Sequence, residues 1–94
     1  MAKSFNPKAE LYEHTVLKML HRESQNDTNR TDLMVIKWAN AKTPVLEKRR
    51  AFFNKKQEQW MYRKATGMTF GDLKIVQENM DEIMRLLHVD EKEQ

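Results

Sequence analysis

The sequence contains no cysteine and only two glycines and two prolines. The absence of cysteine excludes disulfide bonds, thiolate nucleophiles, iron–sulfur clusters and cysteine-ligated zinc. So few glycines and prolines argue against a β-sandwich or β-barrel, which needs a turn signal every ~8–12 residues. An apolar run long enough for a signal peptide or a membrane span is also lacking. We therefore expect a cytoplasmic, intracellular protein whose fold class is all-α.

Apolar residues are sparse as well. They make up 39% of the 94 residues, whereas charged residues make up 33%, so the chain is more polar than an average globular domain. A chain of this length has room for one hydrophobic core. We predict a single helical domain over residues 1–94, with a thin core and frayed ends at residues 1–6 and 89–94.

Capping signals indicate where the helices begin and end. Asn6-Pro7 and Thr43-Pro44 each place a capping side chain before a proline at the first helical position. Gly67 can end a helix in the left-handed conformation. The predicted order is a helix over 7–22, a polar loop over 23–31, a short buried segment over 32–39, a long helix over 44–66 and a fourth helix that ends near residue 88.

The segment 32–39 is apolar nearly all round, which suits either a buried short helix or a strand. We favour the helix, because no second strand-like run is evident and a lone strand would leave its backbone hydrogen bonds unpaired. The expected architecture is a small bundle of about four helices, in which helices three and four form an antiparallel hairpin closed by Gly67.

The fourth helix carries two further signals. Thr69 and Asp72 have the spacing of a capping box. Apolar residues then recur every three or four positions, as in the seam between two packed helices. The seam consists of Leu73, Val76, Met80, Ile83 and Leu87. It can pack inside the domain or against a second copy, so a homo-oligomer is an open alternative.

Charge is unevenly distributed along the chain. Residues 1–41 carry a net charge of +1, residues 42–66 of +6 and residues 67–94 of −4. On the predicted third helix, the cations fall on the same face as the aromatic rings. This mixed face consists of Arg49, Phe52, Phe53, Lys56, Trp60 and Arg63.

A face that combines cations with rings favours an anionic partner. Guanidinium and ammonium groups bind carboxylates or phosphates, while rings fill apolar pockets or stack on bases. A purely structural explanation also exists, because Lys and Arg stems can lie across a helix-packing surface and reach acids such as Asp72 or Asp81 on helix four.

Two kinds of partner follow from this face. We predict a non-enzymatic adaptor or inhibitor that binds an acidic, partly apolar protein surface, since the net charge of +3 is modest and the C-terminal end is acidic. The alternative is a DNA- or RNA-binding protein that contacts phosphates through helix 44–66, with or without a helix-turn-helix around Gly67. Its candidate phosphate contacts are Lys48, Arg50, Lys55 and Lys64.

Catalytic and metal-binding patterns are not evident. His14 and His21 are seven residues apart, too far along one helix for a shared ion. No nucleophile–base pair or carboxylate dyad has workable spacing, and neither glycine-rich phosphate motif occurs. We therefore expect no enzyme activity, no cofactor and no metal.

Overall fold

The computed structural model describes residues 14–92, with side chains up to His88. It is a four-stranded antiparallel sheet followed by two helices, and the strands follow one another in the order β1-β2-β3-β4. The strands are β1 (His14–Asn26), β2 (Asn29–Trp38), β3 (Val45–Asn54) and β4 (Gln59–Ala65), and the helices are α1 (Phe70–Glu78) and α2 (Met80–Lys92). The prediction of an all-α bundle is therefore wrong.

Within the described residues, the helices predicted before Gly67 are replaced by strands. The helix predicted over 7–22 becomes β1 from residue 14 onward, and its first part lies outside the described residues. The polar loop 23–31 consists largely of the paired ends of β1 and β2, joined by a tight turn, and the segment 32–39 is mostly strand. The long helix 44–66 is the β3–β4 hairpin. A helix-turn-helix and a helical hairpin around Gly67 are both excluded, because β4 precedes this glycine and its φ is not positive.

Irregular pairing explains why β1 resembles a helix in its sequence. Its register against β2 shifts at three places, and each β-bulge inserts an extra residue into the strand. The residues that share one face of β1 are therefore spaced by two or three positions rather than strictly by two. Val16, Met19 and Arg22, which pair with Ile36, Met34 and Asp32, thus imitate the spacing of a helical stripe.

The apolar run in β2 reflects burial of both faces of the sheet. Leu33 and Val35 face the helices, where they form one core cluster with Val76 and Ile83. Met34 and Ile36 point to the opposite face and are fully buried in a second cluster with Ala51 and Tyr62. A strand buried on both faces shows no alternation of polar and apolar residues, so its period does not separate it from a buried helix.

The turn between β3 and β4 contains neither glycine nor proline. The Asn54 side chain accepts a hydrogen bond from the backbone N–H of Gln57 at 3.1 Å, and Glu58 takes the left-handed conformation with φ of 55°. Non-glycine residues adopt this conformation at a cost. The hairpin therefore lacks the residues by which such turns are usually recognised in a sequence.

The capping box at the start of α1 is confirmed. The Thr69 hydroxyl accepts a hydrogen bond from the backbone N–H of Asp72 at 3.2 Å, and the Asp72 carboxylate accepts one from the backbone N–H of Thr69 at 2.8 Å. The predicted fourth helix is divided at Asn79, whose side-chain amide donates to the carbonyl of Ile75 at 2.8 Å. Helix α2 extends to Lys92.

The two helices share one layer on one face of the sheet. Val76 and Ile83, from the predicted helical seam, pack there against the sheet, whereas Leu73 and Met80 are exposed and Leu87 is half-buried. The Lys48 ammonium, 2.6 Å from the Asp72 carboxylate, ties β3 to the start of α1. Neither helix in residues 14–92 has the length and apolarity needed to cross a membrane.

Candidate functional site

The end of the β3–β4 hairpin brings most of the predicted site residues together. Cross-strand pairing places Phe53 beside Trp60 on one face, and Phe52 beside Met61 on the other. These four side chains are half-buried. The helices have their main contacts with β1 and β2, so rings occur on both faces of the hairpin at a distance from the helical layer.

On the face opposite the helices, Trp60 contacts two planar groups. The guanidinium carbon of Arg30 is 4.1 Å from the centre of the Trp60 ring, and the Phe53 ring meets Trp60 edge-on with 5.6 Å between the ring centres. A cation held over an indole ring is attracted by the negative face of the ring. Arg30 belongs to β2, so tertiary pairing alone creates this contact.

The other face of the hairpin repeats the combination of ring and cation. The guanidinium carbon of Arg63 lies 4.4 Å from the centre of the Phe52 ring, and Arg63 is exposed. We name the set Arg30, Phe52, Phe53, Trp60 and Arg63 the hairpin site. Each face of the hairpin thus offers a ring together with a guanidinium group.

Arg49 forms a third pair of this kind, but its charge is already engaged. Its guanidinium carbon lies 4.6 Å from the centre of the Trp38 ring, while its Nε donates to Glu47 at 2.8 Å. Trp38 also donates to Glu47, at 3.0 Å. Burial of Glu47 opposes its ionisation, yet these two hydrogen bonds lower its pKa below the ordinary value. Arg49 therefore stabilises the sheet.

A buried carboxylate, that of Asp32, contacts side chains next to the hairpin site. Asp32 is fully buried, accepts two hydrogen bonds from Arg22 at 2.9 and 3.2 Å, and accepts one from the Tyr62 hydroxyl at 2.7 Å. Burial and this last bond raise the pKa of Tyr62 to about 12. The Nε of Arg30 lies 3.4 Å from the same carboxylate, so Asp32 holds Arg30 in position beside Trp60 through charge.

The hairpin is strongly basic, and much of its charge faces solvent. Residues 45–65 include seven Lys or Arg and two Glu. Within the described part of the chain, five of these cations are exposed and form no salt bridge. They are Arg50, Lys55, Lys56, Arg63 and Lys64.

The residues of the predicted mixed face do not share one face in the structure. Phe53 and Trp60 share one face, Phe52 and Arg63 share the other, and Lys56 lies in the turn with Lys55. Of the candidate phosphate contacts, Lys48 is bound to Asp72. Arg50 and Lys64 are exposed on β3 and β4.

Strand β2 contributes residues that were not predicted from the sequence. Arg30, Asp32 and Trp38 share one face of the strand, because they stand at alternate positions together with Met34 and Ile36. The apolar run 33–36 and Lys37 leave no alternation of polar and apolar residues between them, and the predicted loop over 23–31 included Arg30.

No group of three or more His, Cys, Asp or Glu side chains within the described residues is arranged to hold a metal ion. Comparison of the chain with models of known protein families, with curated proteins and with solved structures found no match.

Proposed function

We propose that the protein binds single-stranded nucleic acid through the β3–β4 hairpin. The observation that carries this function is the pairing of a ring with a guanidinium on both faces of a basic hairpin, at 4.1 Å for Trp60 and 4.4 Å for Phe52. A nucleotide presents a planar base next to a negatively charged phosphate. Aromatic and guanidinium planes stack on bases, while cations attract the backbone.

The chemistry of the hairpin favours unpaired bases over a duplex. A two-stranded β-ribbon can enter the major groove, but it reads base edges there through polar side chains. The hairpin site instead presents Phe52, Phe53 and Trp60, and rings of this size stack on bases that are already exposed. Single-stranded DNA and RNA both provide such bases.

An acidic protein surface, the partner predicted from the sequence, fits the hairpin less well. The centre of a protein–protein interface is enriched in Arg and aromatic side chains but depleted of Lys, whereas Lys55, Lys56 and Lys64 are exposed on the hairpin. That partner stays a prediction, and it would become the favoured one if the protein did not bind oligonucleotides. A nucleic-acid ligand also implies an intracellular location, which stays a prediction as well.

The net negative charge of the C-terminal part of the chain suggests that it repels nucleic acid, but the structure reduces this repulsion. Asp72 is paired with Lys48 at 2.6 Å, and Glu82 is paired with Lys18 at 3.2 Å. The helices also lie on one face of the sheet, whereas Trp60 belongs to the cluster on the opposite face. Repulsion between α1 or α2 and a strand bound at Trp60 is therefore small.

Replacement of Trp60 with leucine tests the function directly. Leucine keeps an apolar side chain in the sheet but removes the stacking surface, so we expect the affinity for a single strand of about 12 nucleotides to fall by about 1–3 kcal/mol, or roughly 5- to 150-fold. Fluorescence anisotropy of a labelled oligonucleotide measures the affinity. In a Trp38→Phe background, quenching of Trp60 emission reports stacking at the site itself.

Phe70→Leu provides the matched control for this substitution. Phe70 is an aromatic residue that is 78% exposed on α1, so its replacement should leave the affinity unchanged. Equal affinity of the parent protein and the Trp60→Leu variant would contradict the function, as would equally tight binding of single strands and of a duplex with the same sequence.

The salt dependence of binding tests the role of the turn. Lys55 and Lys56 are exposed at the end of the hairpin, where they can neutralise phosphates. We expect their joint replacement with glutamine to weaken the salt dependence of binding between about 50 and 200 mM salt. The slope of the logarithm of the binding constant against the logarithm of the salt concentration should fall in magnitude by about 0.7 for each phosphate that is no longer neutralised, or about 1.4 in total. Lys42→Gln is the control, because Lys42 is exposed in the loop before β3, and it should leave the slope unchanged. An unaltered slope in the double variant would exclude the turn from the interface.

A further inference from the structure

The helical layer exposes an apolar stripe that the proposed function does not use. Phe70 and Leu73 of α1 are 78% and 55% exposed, and Met80 and Met84 of α2 are 39% and 50% exposed. Large apolar side chains scattered singly over a surface are ordinary, whereas a contiguous group of them indicates an interaction site.

The helical phase places these side chains in one stripe on both sides of the break at Asn79. Val76 and Ile83 are seven residues apart and pack into the same core cluster, so α1 and α2 present the same helical phase to the sheet. At 100° per residue, the positions 70, 73, 77, 80 and 84 then fall within an arc of about 80°. Their spacing of three and four residues is that of a heptad seam, with Gln77 at its centre. This exposed seam is a different set of residues from the seam predicted from the sequence, whose Val76 and Ile83 pack against the sheet.

The charges beside the seam indicate what can cover it. Lys74 and Asp81 are seven residues apart and lie along one side of the stripe. If two copies of the seam pack in antiparallel orientation, Lys74 of each copy comes close to Asp81 of the other. Parallel packing would instead place Lys74 and Asp81 of the two copies on opposite flanks of the helix pair, where they do not meet. The seam is therefore complementary in charge to itself.

We infer that this seam of Phe70, Leu73, Gln77, Met80 and Met84 is the interface of a homodimer, formed by antiparallel packing against the same seam of a second copy. The interface is isologous, because each contact between the two copies occurs twice, related by one two-fold axis. The seam spans about 22 Å at 1.5 Å per residue, so its area is below that of a standard interface of about 800 Å² per partner. The dimer is accordingly weak. It leaves Trp60 free, because Trp60 belongs to the cluster on the other face of the sheet.

Sedimentation equilibrium over about 10–500 µM protein tests the dimer. The expected result is a concentration-dependent rise in mass from 11.3 kDa toward twice that value, with half-association at about 10–100 µM. The double variant Leu73→Glu/Met84→Glu should remain monomeric over this range. Leu17→Glu is the matched control, since Leu17 is 40% exposed on β1 and lies outside the seam. Circular dichroism of each variant verifies that the fold is retained.

A charge exchange tests the antiparallel orientation. Lys74→Asp and Asp81→Lys should each weaken association, and the double exchange should restore it to within about threefold of the parent protein. A monomer at all concentrations overturns the inference, as does a dimer that survives Leu73→Glu/Met84→Glu. Binding of oligonucleotides by a monomeric variant is a separate readout, so failure of the dimer and failure of the proposed function are distinguishable.

Discussion

Replacement of Asp32 with alanine is expected to lower the free energy of unfolding by about 3–5 kcal/mol, the cost of leaving buried ionic partners uncompensated. The substitution removes the acceptor of the Tyr62 hydroxyl and the counter-charge of Arg30, whose side chain is only 15% exposed. Arg22 contributes less to this effect, because its side chain is 42% exposed and regains water. A small domain has only about 5–15 kcal/mol of stability in total, so the variant should unfold at a much lower urea concentration.

Two further variants define the origin of this effect. Asp32→Asn keeps the shape and an acceptor for Tyr62 but removes the charge, so it should lose only part of the stability. Asp27→Ala, an exposed aspartate in the turn between β1 and β2, should change the free energy of unfolding by less than about 0.5 kcal/mol. A decrease below about 1 kcal/mol for Asp32→Ala, measured by urea denaturation with circular dichroism, would contradict the role of the buried network.

The second large effect is expected at Asp72, which links α1 to the sheet. Its carboxylate contacts the Lys48 ammonium at 2.6 Å and accepts from the backbone N–H of Thr69 at 2.8 Å. Asp72→Asn should lower the free energy of unfolding by about 2–4 kcal/mol, because it weakens the capping box and leaves Lys48 without its counter-charge. Urea denaturation at neutral pH measures this decrease.

The pH dependence of stability provides an independent measure of the same interaction. The hydrogen bond from Lys48, followed by that from the Thr69 backbone, lowers the pKa of Asp72 below its ordinary value of 3.8. A carboxyl with a lowered pKa in the folded state contributes its stability in full above the unfolded pKa, and that contribution is lost as the pH falls through the folded pKa. The decline in stability of the parent protein below about pH 4 should therefore be shallower in Asp72→Asn.

Glu78→Gln is the control for both measurements, since Glu78 is exposed on the last turn of α1. It should change the free energy of unfolding by less than about 0.5 kcal/mol and leave the acid decline intact. An acid decline in Asp72→Asn equal to that of the parent protein would show that other carboxyl groups cause it.

The hairpin site could be predicted only in part from the sequence. The stretch 42–66 is identified as basic and aromatic by composition, and the rings and cations within it lie close together whichever regular structure forms. Whether they share one face depends on the backbone period. Phe52 and Phe53 point to opposite faces of a strand, whereas on a helix they share one stripe.

Sequence by itself determined the local features of this protein. The absence of cysteine excludes thiol chemistry, the spacing of Thr69 and Asp72 specifies the start of α1, and the charge distribution makes the β3–β4 hairpin basic. Each of these depends on composition or on residues that are close together in the chain, so no knowledge of the fold was required.

Tertiary structure alone decided between helix and strand before Gly67. Bulges in β1 and burial of both faces of β2 remove the alternation that identifies strands, and the β3–β4 turn uses Glu58 in place of glycine. Strand pairing also brought Arg30 to Trp60 and Asp32 to Tyr62, each thirty residues away. Such contacts depend on the register between distant segments, and register is set by the packing of the whole sheet rather than by the sequence of any one strand.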